Sequence, residues 1–294
     1  MTHAPDETAK QEAMQVLEDL GLEPCEPVRQ RMVSGHASSL LLLAEGNGGR
    51  KFVLKHYLPT PDRIWPAGVH PDDYARRECG FYRLLDEIDP RRRDFPAPRT
   101  MLIGPGDPPR WLLLEHVPMA PSPTQEVIAS DHCFQLIEKL REFPQDRLVG
   151  RRSLPLNHWN PIGYMERVRL MYESVLNVVG ERRWRQLQAF FAEAVRWIDS
   201  RKPMLVHGDF SEENLVVTED DQPWLVDFER IGVGNRVGGD RVRSEWGIRS
   251  ALAYIAVRRL RWGYLREGED DPRVSSNLAL LDATLSGGSD LFPF

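Results

Sequence analysis

The segment Leu205-Val-His-Gly-Asp-Phe-Ser-Glu-Glu-Asn214, followed by Trp224-Leu-Val-Asp-Phe-Glu229, constrains this chain more than any other. Asp209 and Asn214 bracket four residues. From Asn214 the chain runs Leu-Val-Val, then the polar turn Thr218-Glu-Asp-Asp-Gln-Pro223, then Trp-Leu-Val. That is the signature of a β-hairpin, which returns Asp227 to the side of Asn214. A carboxylate and an amide at this spacing, with a second carboxylate beyond a hairpin, form the pattern of a phosphotransfer centre. There the first Asp accepts the proton of the attacking hydroxyl and the Asn holds one Mg²⁺. Asp209 is the candidate catalytic residue, and Asn214 and Asp227 are the candidate metal ligands.

Taken singly, the pieces carry little. A His-Gly-Asp turn is usually a loop with a capping Asp, and Asp-Phe-Glu is a common tripeptide. Their conjunction carries the reading. A hydrolytic metal site built from His207, Asp209 and Asp227 is the rival, but it asks for a second His, and none lies nearby.

With His-Gly-Asp in place of His-Arg-Asp and Asp-Phe-Glu in place of Asp-Phe-Gly, these residues resemble the aminoglycoside phosphotransferase and choline kinase family. The resemblance runs from about Val28 to Leu265. It implies a protein-kinase-like, bilobal α+β fold that uses ATP (or GTP) and Mg²⁺ to phosphorylate a hydroxyl of a small molecule such as a sugar, amino alcohol or antibiotic. It does not bring the identity of that acceptor.

Periodicity agrees with such a fold. Glu7 to Leu20 is amphipathic, with Ala13, Val16, Leu17 and Leu20 on one face. Strand-like runs follow at Val28–Val33, Leu40–Glu45 and Lys51–Tyr57, separated by Ser34-Gly-His-Ala-Ser-Ser39 and Gly46-Asn-Gly-Gly49. Leu58 to Asp72 is a Pro-containing loop, and a helix runs from Asp72 to Ile88. Arg99–Ile103 and Trp111–Val117 complete an antiparallel five-stranded sheet. Pro118-Met-Ala-Pro-Ser-Pro123 then breaks all periodicity, and helical patterns dominate afterwards. The expected division is a nucleotide-binding lobe over 1–117 and a mainly helical catalytic and acceptor-binding lobe over 118–294.

On the nucleotide side, Lys55 lies in the third strand. Glu78 sits three residues before Phe81 and seven before Leu85, on the apolar face of its helix. A carboxylate facing the core must find a partner, and a strand Lys paired to a helix Glu is the arrangement that aligns ATP phosphates in kinases. The turn containing Ser38 and Ser39 occupies the place of a phosphate-covering loop but offers only Gly35. Its backbone N–H groups and the two hydroxyls are candidate phosphate contacts, and an ordinary hairpin turn is the other reading. Glu115 to Val117 is the expected hinge, whose backbone binds adenine.

Composition excludes several classes. A 294-residue chain that is 41% hydrophobic and 28% charged is globular and can bury a core. No run of about eighteen apolar residues occurs and the N-terminus is polar and acidic, so a soluble cytoplasmic protein is expected. Cys25, Cys79 and Cys133 are odd in number and widely spaced, which fits free thiols. A net charge of −6 disfavours nucleic acid as a partner, and Arg91-Arg-Arg93 reads as a solvated loop.

Between Arg230 and Arg273 there are ten Arg against six Asp or Glu, which points to a neutral or anionic acceptor unless these arginines merely snorkel over apolar surface. Asp240, Glu245 and Trp246 are the acceptor-side candidates, with helix capping as the rival role for Asp240. A catalytically silent nucleotide-binding module is the alternative to an enzyme. A protein kinase is disfavoured because no Ala-Pro-Glu segment follows Asp227.

Overall fold

Along residues 40–44 every second side chain is fully buried, as expected for a strand with one face on a core: Leu40, Leu42 and Ala44. The computed structural model describes residues 7–25, 29–33, 36–58, 72–118, 133–147, 154, 156–197, 203–209, 214–235, 241–268 and 271–287. They fall into two compact units, the first drawn from 1–65, 69–156 and 207–231 and the second from 66–68, 157–206 and 232–294. The Asp209 to Glu229 segment thus groups with the N-terminal sheet.

In the first unit, helix α1 (Glu7–Asp19) precedes strands β1 (Glu23–Pro24), β2 (Arg29–Val33), β3 (His36–Glu45) and β4 (Lys51–Tyr57). Helix α2 (Asp72–Ile88), strands β5 (Thr100–Ile103) and β6 (Trp111–Glu115) and helix α3 (Cys133–Glu142) follow. The antiparallel sheet has the order β1-β3-β4-β6-β5, with β2 paired to β3. The five expected strands are all present, joined by the two-residue β1. Ala9, Ala13 and Leu17 of α1 close a core over Leu40, Leu42, Leu54 and Leu113.

The second unit holds strand β7 (Asn157–Trp159), helices α4 (Pro161–Leu170) and α5 (Tyr172–Arg196) and strand β8 (Pro203–Val206). Beyond the hairpin strands β9 (Leu215–Val217) and β10 (Pro223–Leu225) of the first unit, it continues with β11 (Gly232–Asn235), α6 (Arg241–Glu267) and α7 (Pro272–Ser286). Its core packs Val168, Val175, Leu187 and Phe191 against Ala253, Val257, Leu260 and Leu281. At Gly180 (φ 77°, ψ 150°) the α5 run breaks, and both halves contribute to this one core. Strand β11 lies between β7 and β8, and a Cβ on Gly232 would stand 2.3 Å from the Asn157 carbonyl oxygen, which excludes any other residue there.

Three expectations change. Ser38 and Ser39 lie inside β3 and not in a turn, while residues 34–35, most of the 58–72 segment and residues 119–123 lie outside the described residues. Helix α7 was not anticipated from periodicity, although Asp271 caps it, Pro272 opens it and Gly287 (φ 73°) closes it. Finally, Arg92 is buried, not solvated. It bonds the carbonyls of Asp89 at 2.7 Å and Pro98 at 3.4 Å and pairs with Asp86, while Arg91 and Arg93 remain exposed.

Cys25 is exposed and Cys79 buried, both as free thiols, so only Cys79 is a packing residue of the two. The side chain of Cys133 lies outside the described residues. Among the described residues no helix is long and apolar enough to cross a membrane.

Asp89 terminates α2 and accepts the backbone N–H groups of Arg93, Asp94 and Phe95 at 2.9, 2.9 and 2.8 Å. Burial pushes its carboxyl up, but the three N–H groups, helped by Arg92, hold it below the usual carboxylate range. A depressed native pKa gives stability that is present above the unfolded value and lost as pH falls through the folded one. Asp89→Asn should therefore cost about 1–3 kcal/mol at pH 7. In urea titrations that gap should close as pH falls below about 4.

Candidate active site

Lys55 occupies the middle of the sheet, opposite Leu41 of β3 and Leu112 of β6. The strand's alternation places Leu54 in the core under α1, so Lys55 and Tyr57 point to the other face, toward α2. Glu78, fully buried among Phe81, Tyr82 and Leu85, meets Lys55 Nζ at 2.6 Å through Oε2. The pair expected from strand and helix periodicity forms. Two further carboxylates reach the same ammonium, Asp227 at 2.5 Å and Glu229 at 2.8 Å. Tyr57 donates its hydroxyl to Glu78 Oε2 at 2.8 Å, and the backbone N–H of Phe228 reaches Glu78 Oε1 at 3.1 Å.

The hairpin brings Asp227 there. Strands β9 and β10 pair Leu215 with Leu225, and the Val226 N–H donates to the Asn214 carbonyl at 3.0 Å, extending the ladder to the threshold of Asp227. Asp227 itself has φ 67° and ψ 66°, the left-handed region that few residues other than Gly, Asn and Asp enter. The neighbouring Phe228 holds it in that conformation. Its ring is buried against Phe81, Tyr82, Phe95 and His207, with centroids 4.8, 5.4, 6.0 and 5.1 Å away. His207 Nε2 lies 3.0 Å from the Val226 carbonyl, which ties the His-Gly-Asp turn to the Asp-Phe-Glu segment.

Asn214 is buried and donates Nδ2–H to the Asp209 carbonyl at 2.6 Å, clamping the two ends of the loop between them. Asp209 is about a third exposed, and its Oδ1 lies 3.4 Å from Nη1 of the buried Arg230. On the opposite side, Arg77 of α2 donates to the Glu229 carbonyl at 2.7 Å.

One ammonium faces three carboxylates, and the buried Arg77 and Arg230 adjoin the same segment. Burial pushes Glu78 up to about 7, opposed by Lys55 and reinforced by Asp227 and Glu229. Burial alone would lower Lys55, but Asp227, Glu229 and Glu78 together hold it well above its ordinary value. Burial, then Glu78, raises the Tyr57 phenol, so the hydroxyl keeps its proton and remains a donor. Glu78, Asp227 and Glu229 each offer an oxygen, and these atoms lie within 4.8 Å of one another. Carboxylate oxygens are the ligands a hard divalent cation such as Mg²⁺ prefers, but these three meet the Lys55 ammonium, so a cation would draw on Asp227 from outside this cluster.

A profile of the Phosphotransferase enzyme family matches residues 11–237. The chain belongs to that family. Its fold is shared with a thermostable mutant of aminoglycoside phosphotransferase APH(4)-Ia in ternary complex with ADP and hygromycin B, at TM-score 0.60 and 13% identity over 94% of this chain and 98% of that one. Choline kinase LicA from Streptococcus pneumoniae aligns at TM-score 0.58 and 11% identity, covering 96% and 100% of the two chains. A choline kinase from Cryptosporidium parvum Iowa II gives 0.56 and 10%, covering 96% and 97%. At these identities the likeness shows the fold alone, the protein-kinase-like α+β fold of small-molecule kinases. No curated protein matches the sequence.

The other expected site residues of this phosphotransferase-family chain divide. Ser39 is buried on Lys55's side of the sheet, opposite Tyr57, and the side chain of Ser38 lies outside the described residues. Glu115 accepts the Arg99 backbone N–H at 2.8 Å and its guanidinium at 2.7 Å, so its side chain serves the sheet. Asp240 lies outside the described residues. Glu245 and Trp246 engage Arg249, at 3.6 Å for the ion pair and 4.9 Å for the ring contact.

Tyr57 and Arg230 were not anticipated, and Glu229 was not among the chosen site residues. The period of two could have singled out Tyr57, and the charge pattern of Asp-Phe-Glu-Arg could have singled out the other two.

A raised native pKa gives stability that is complete below the unfolded value and lost as pH rises through the folded one. Stability should accordingly decline between about pH 4.5 and about pH 7 through Glu78. Glu78→Gln should flatten that decline in denaturant titrations run across the window, and an identical slope in the variant would show that Glu78 ionises as freely as in the unfolded chain.

Proposed function

We propose that this protein transfers the γ-phosphoryl group of ATP to a hydroxyl of a small molecule. The observation that carries the reading is the buried Lys55–Glu78 pair joined to Asp227, because three separate segments must converge to make it. Family membership supports the phosphotransfer class. Ternary and nucleotide complexes of a protein sharing its fold, with ADP and hygromycin B, are in keeping with a nucleotide and a small-molecule acceptor bound together.

In this reading Lys55, held by Glu78, binds the α- and β-phosphates, and Asp227 with Asn214 holds Mg²⁺. The bound cation would neutralise charge on the phosphates. Asp209 is exposed enough to meet an acceptor, orients its hydroxyl and takes its proton as the new O–P bond forms and the bond to the ADP oxygen breaks. Arg230 steadies the Asp209 carboxylate from the side. Catalysis of this kind is positioning plus charge stabilisation.

At the proposed adenine hinge the Glu115 N–H is bonded to the Arg99 carbonyl at 3.0 Å and the His116 N–H to the Lys51 carbonyl at 3.1 Å, and in this reading the backbone of Glu115 and Val117 meets adenine, with the Val117 N–H as the donor. A lobe boundary near residue 117 and phosphate contacts from Ser38 and Ser39 belong to the same reading. So does work in the cytoplasm, where ATP is available.

Asp209→Asn should leave Mg-ATP binding nearly unchanged while lowering kcat by roughly 10²-fold or more, since it keeps shape and removes proton acceptance. Asp227→Ala should abolish metal-dependent nucleotide binding in calorimetry. The acceptor class would come from following ADP release over sugars, amino alcohols, nucleosides and aminoglycosides. Mg-ATP binding without turnover on any of them would favour a silent nucleotide-binding module.

A further inference from the structure

Tyr57 stands two residues beyond Lys55 on β4 and so shares its face of the sheet. Its hydroxyl donates to Glu78 Oε2 at 2.8 Å, the same oxygen that receives Lys55 at 2.6 Å. Its ring centroid lies 5.5 Å from Lys55 Nζ, within cation–π range. With the Phe228 N–H on Oε1 at 3.1 Å, the Glu78 carboxylate is fixed by donors from β4, from the Asp-Phe-Glu segment and from Lys55 itself.

That third hold matters because Lys55 is contested. Asp227 and Glu229 compete with Glu78 for one ammonium, at 2.5 and 2.8 Å. A Glu side chain has three torsions to fix, and a bond to an ammonium shared among three carboxylates fixes them only in part. A second cation beside Glu78 would hold it but would also draw it away from Lys55. A phenol supplies a hydrogen bond to the carboxylate without a competing charge, and its ring face favours the ammonium next to it.

We propose that Tyr57 is a positioning residue of the nucleotide site: its hydroxyl sets the Glu78 carboxylate so that Glu78 retains Lys55 in line for the nucleotide's phosphates. The inference rests on the functional reading above and extends it to a residue outside the His-Gly-Asp and Asp-Phe-Glu motifs. A purely structural Tyr57 would need its hydroxyl only as a buried polar atom needs any partner, and its loss would then change stability and not affinity.

The test is calorimetric titration of Mg-ADP into the full-length wild type, Tyr57→Phe, Glu78→Ala and the double variant, each with a melting curve. Phe keeps the ring and its packing, and the melting curve establishes that each protein is folded. The wild type should bind. Tyr57→Phe should weaken Mg-ADP by about tenfold. In the Glu78→Ala background the same change should alter affinity less than about twofold, because a residue acting through Glu78 has nothing left to position.

Where turnover is measured, KM for ATP should rise in Tyr57→Phe while KM for the acceptor stays constant. Failure of the wild type itself to bind Mg-ADP would sink the functional reading, and it is seen before any variant is compared. Wild-type binding with an unchanged Tyr57→Phe overturns the role of the hydroxyl. A full loss that persists in the Glu78→Ala background overturns its action through Glu78.

Discussion

A lysine ammonium with almost no solvent exposure, faced by three buried carboxylates, is the constraint to which the rest of the first unit answers. Each of these charges is costly to bury alone, and the cluster is tolerable only if all its members arrive together. Lys55 comes from the centre of a sheet, Glu78 from a helix on one face of it, and Asp227 and Glu229 from a turn about 150 or more residues further along. Misplacing any one element leaves an unpaired buried charge. The cluster therefore helps to specify how sheet, helix and turn come together.

The turn is held by apolar contacts as well as by the charges. Asp227 adopts a left-handed conformation that an Asp populates sparsely, and nothing in its own side chain requires it. Phe228 supplies the reason, since its ring fills a pocket of aromatic side chains from α2 and the residues after it. Once that ring is seated, the backbone on either side has little freedom. The Val226 N–H completes the hairpin ladder, the Phe228 N–H reaches Glu78, and Asp227 is left facing Lys55. Hydrophobic burial sets the position of a carboxylate whose chemistry is electrostatic.

Much of this could be read from the sequence, for physical reasons that differ by element. The hairpin was legible because two apolar triplets flank a polar turn, and the Lys55–Glu78 pair because strand and helix periods put both on buried faces. Glu229 and Tyr57 were harder, since a place in the cluster depends on which side chains converge in space. Arg92 was hard to read because a run of three arginines looks solvated, yet the middle one, with a positive φ of 50°, turns inward and donates to the carbonyls of Asp89 and Pro98. The β7-β11-β8 sheet escaped because its strands are three or four residues long and the central one carries two glycines. Ser38 and Ser39 were assigned to a turn because small polar residues favour turns, but they continue an alternating strand whose inward partners begin at Leu40.

The arginine excess after Arg230 shows the limit of counting charges along a chain. Arg249 stacks at 5.1 Å on Phe190 and at 4.9 Å on Trp246 and donates to the Thr284 carbonyl, bolting α6 to α7. Arg261 reaches Ser174 at 2.9 Å, and Arg273 pairs with Asp271, the cap of α7. Asp271 is itself buried. These three arginine side chains are engaged within their own unit, where they join helices and cap a helix end. The charge that bears on the acceptor is the one beside the reacting group. Arg230 is buried and 3.4 Å from Asp209, so under the proposed mechanism its guanidinium is the charge that an acceptor reaching Asp209 would have to accommodate.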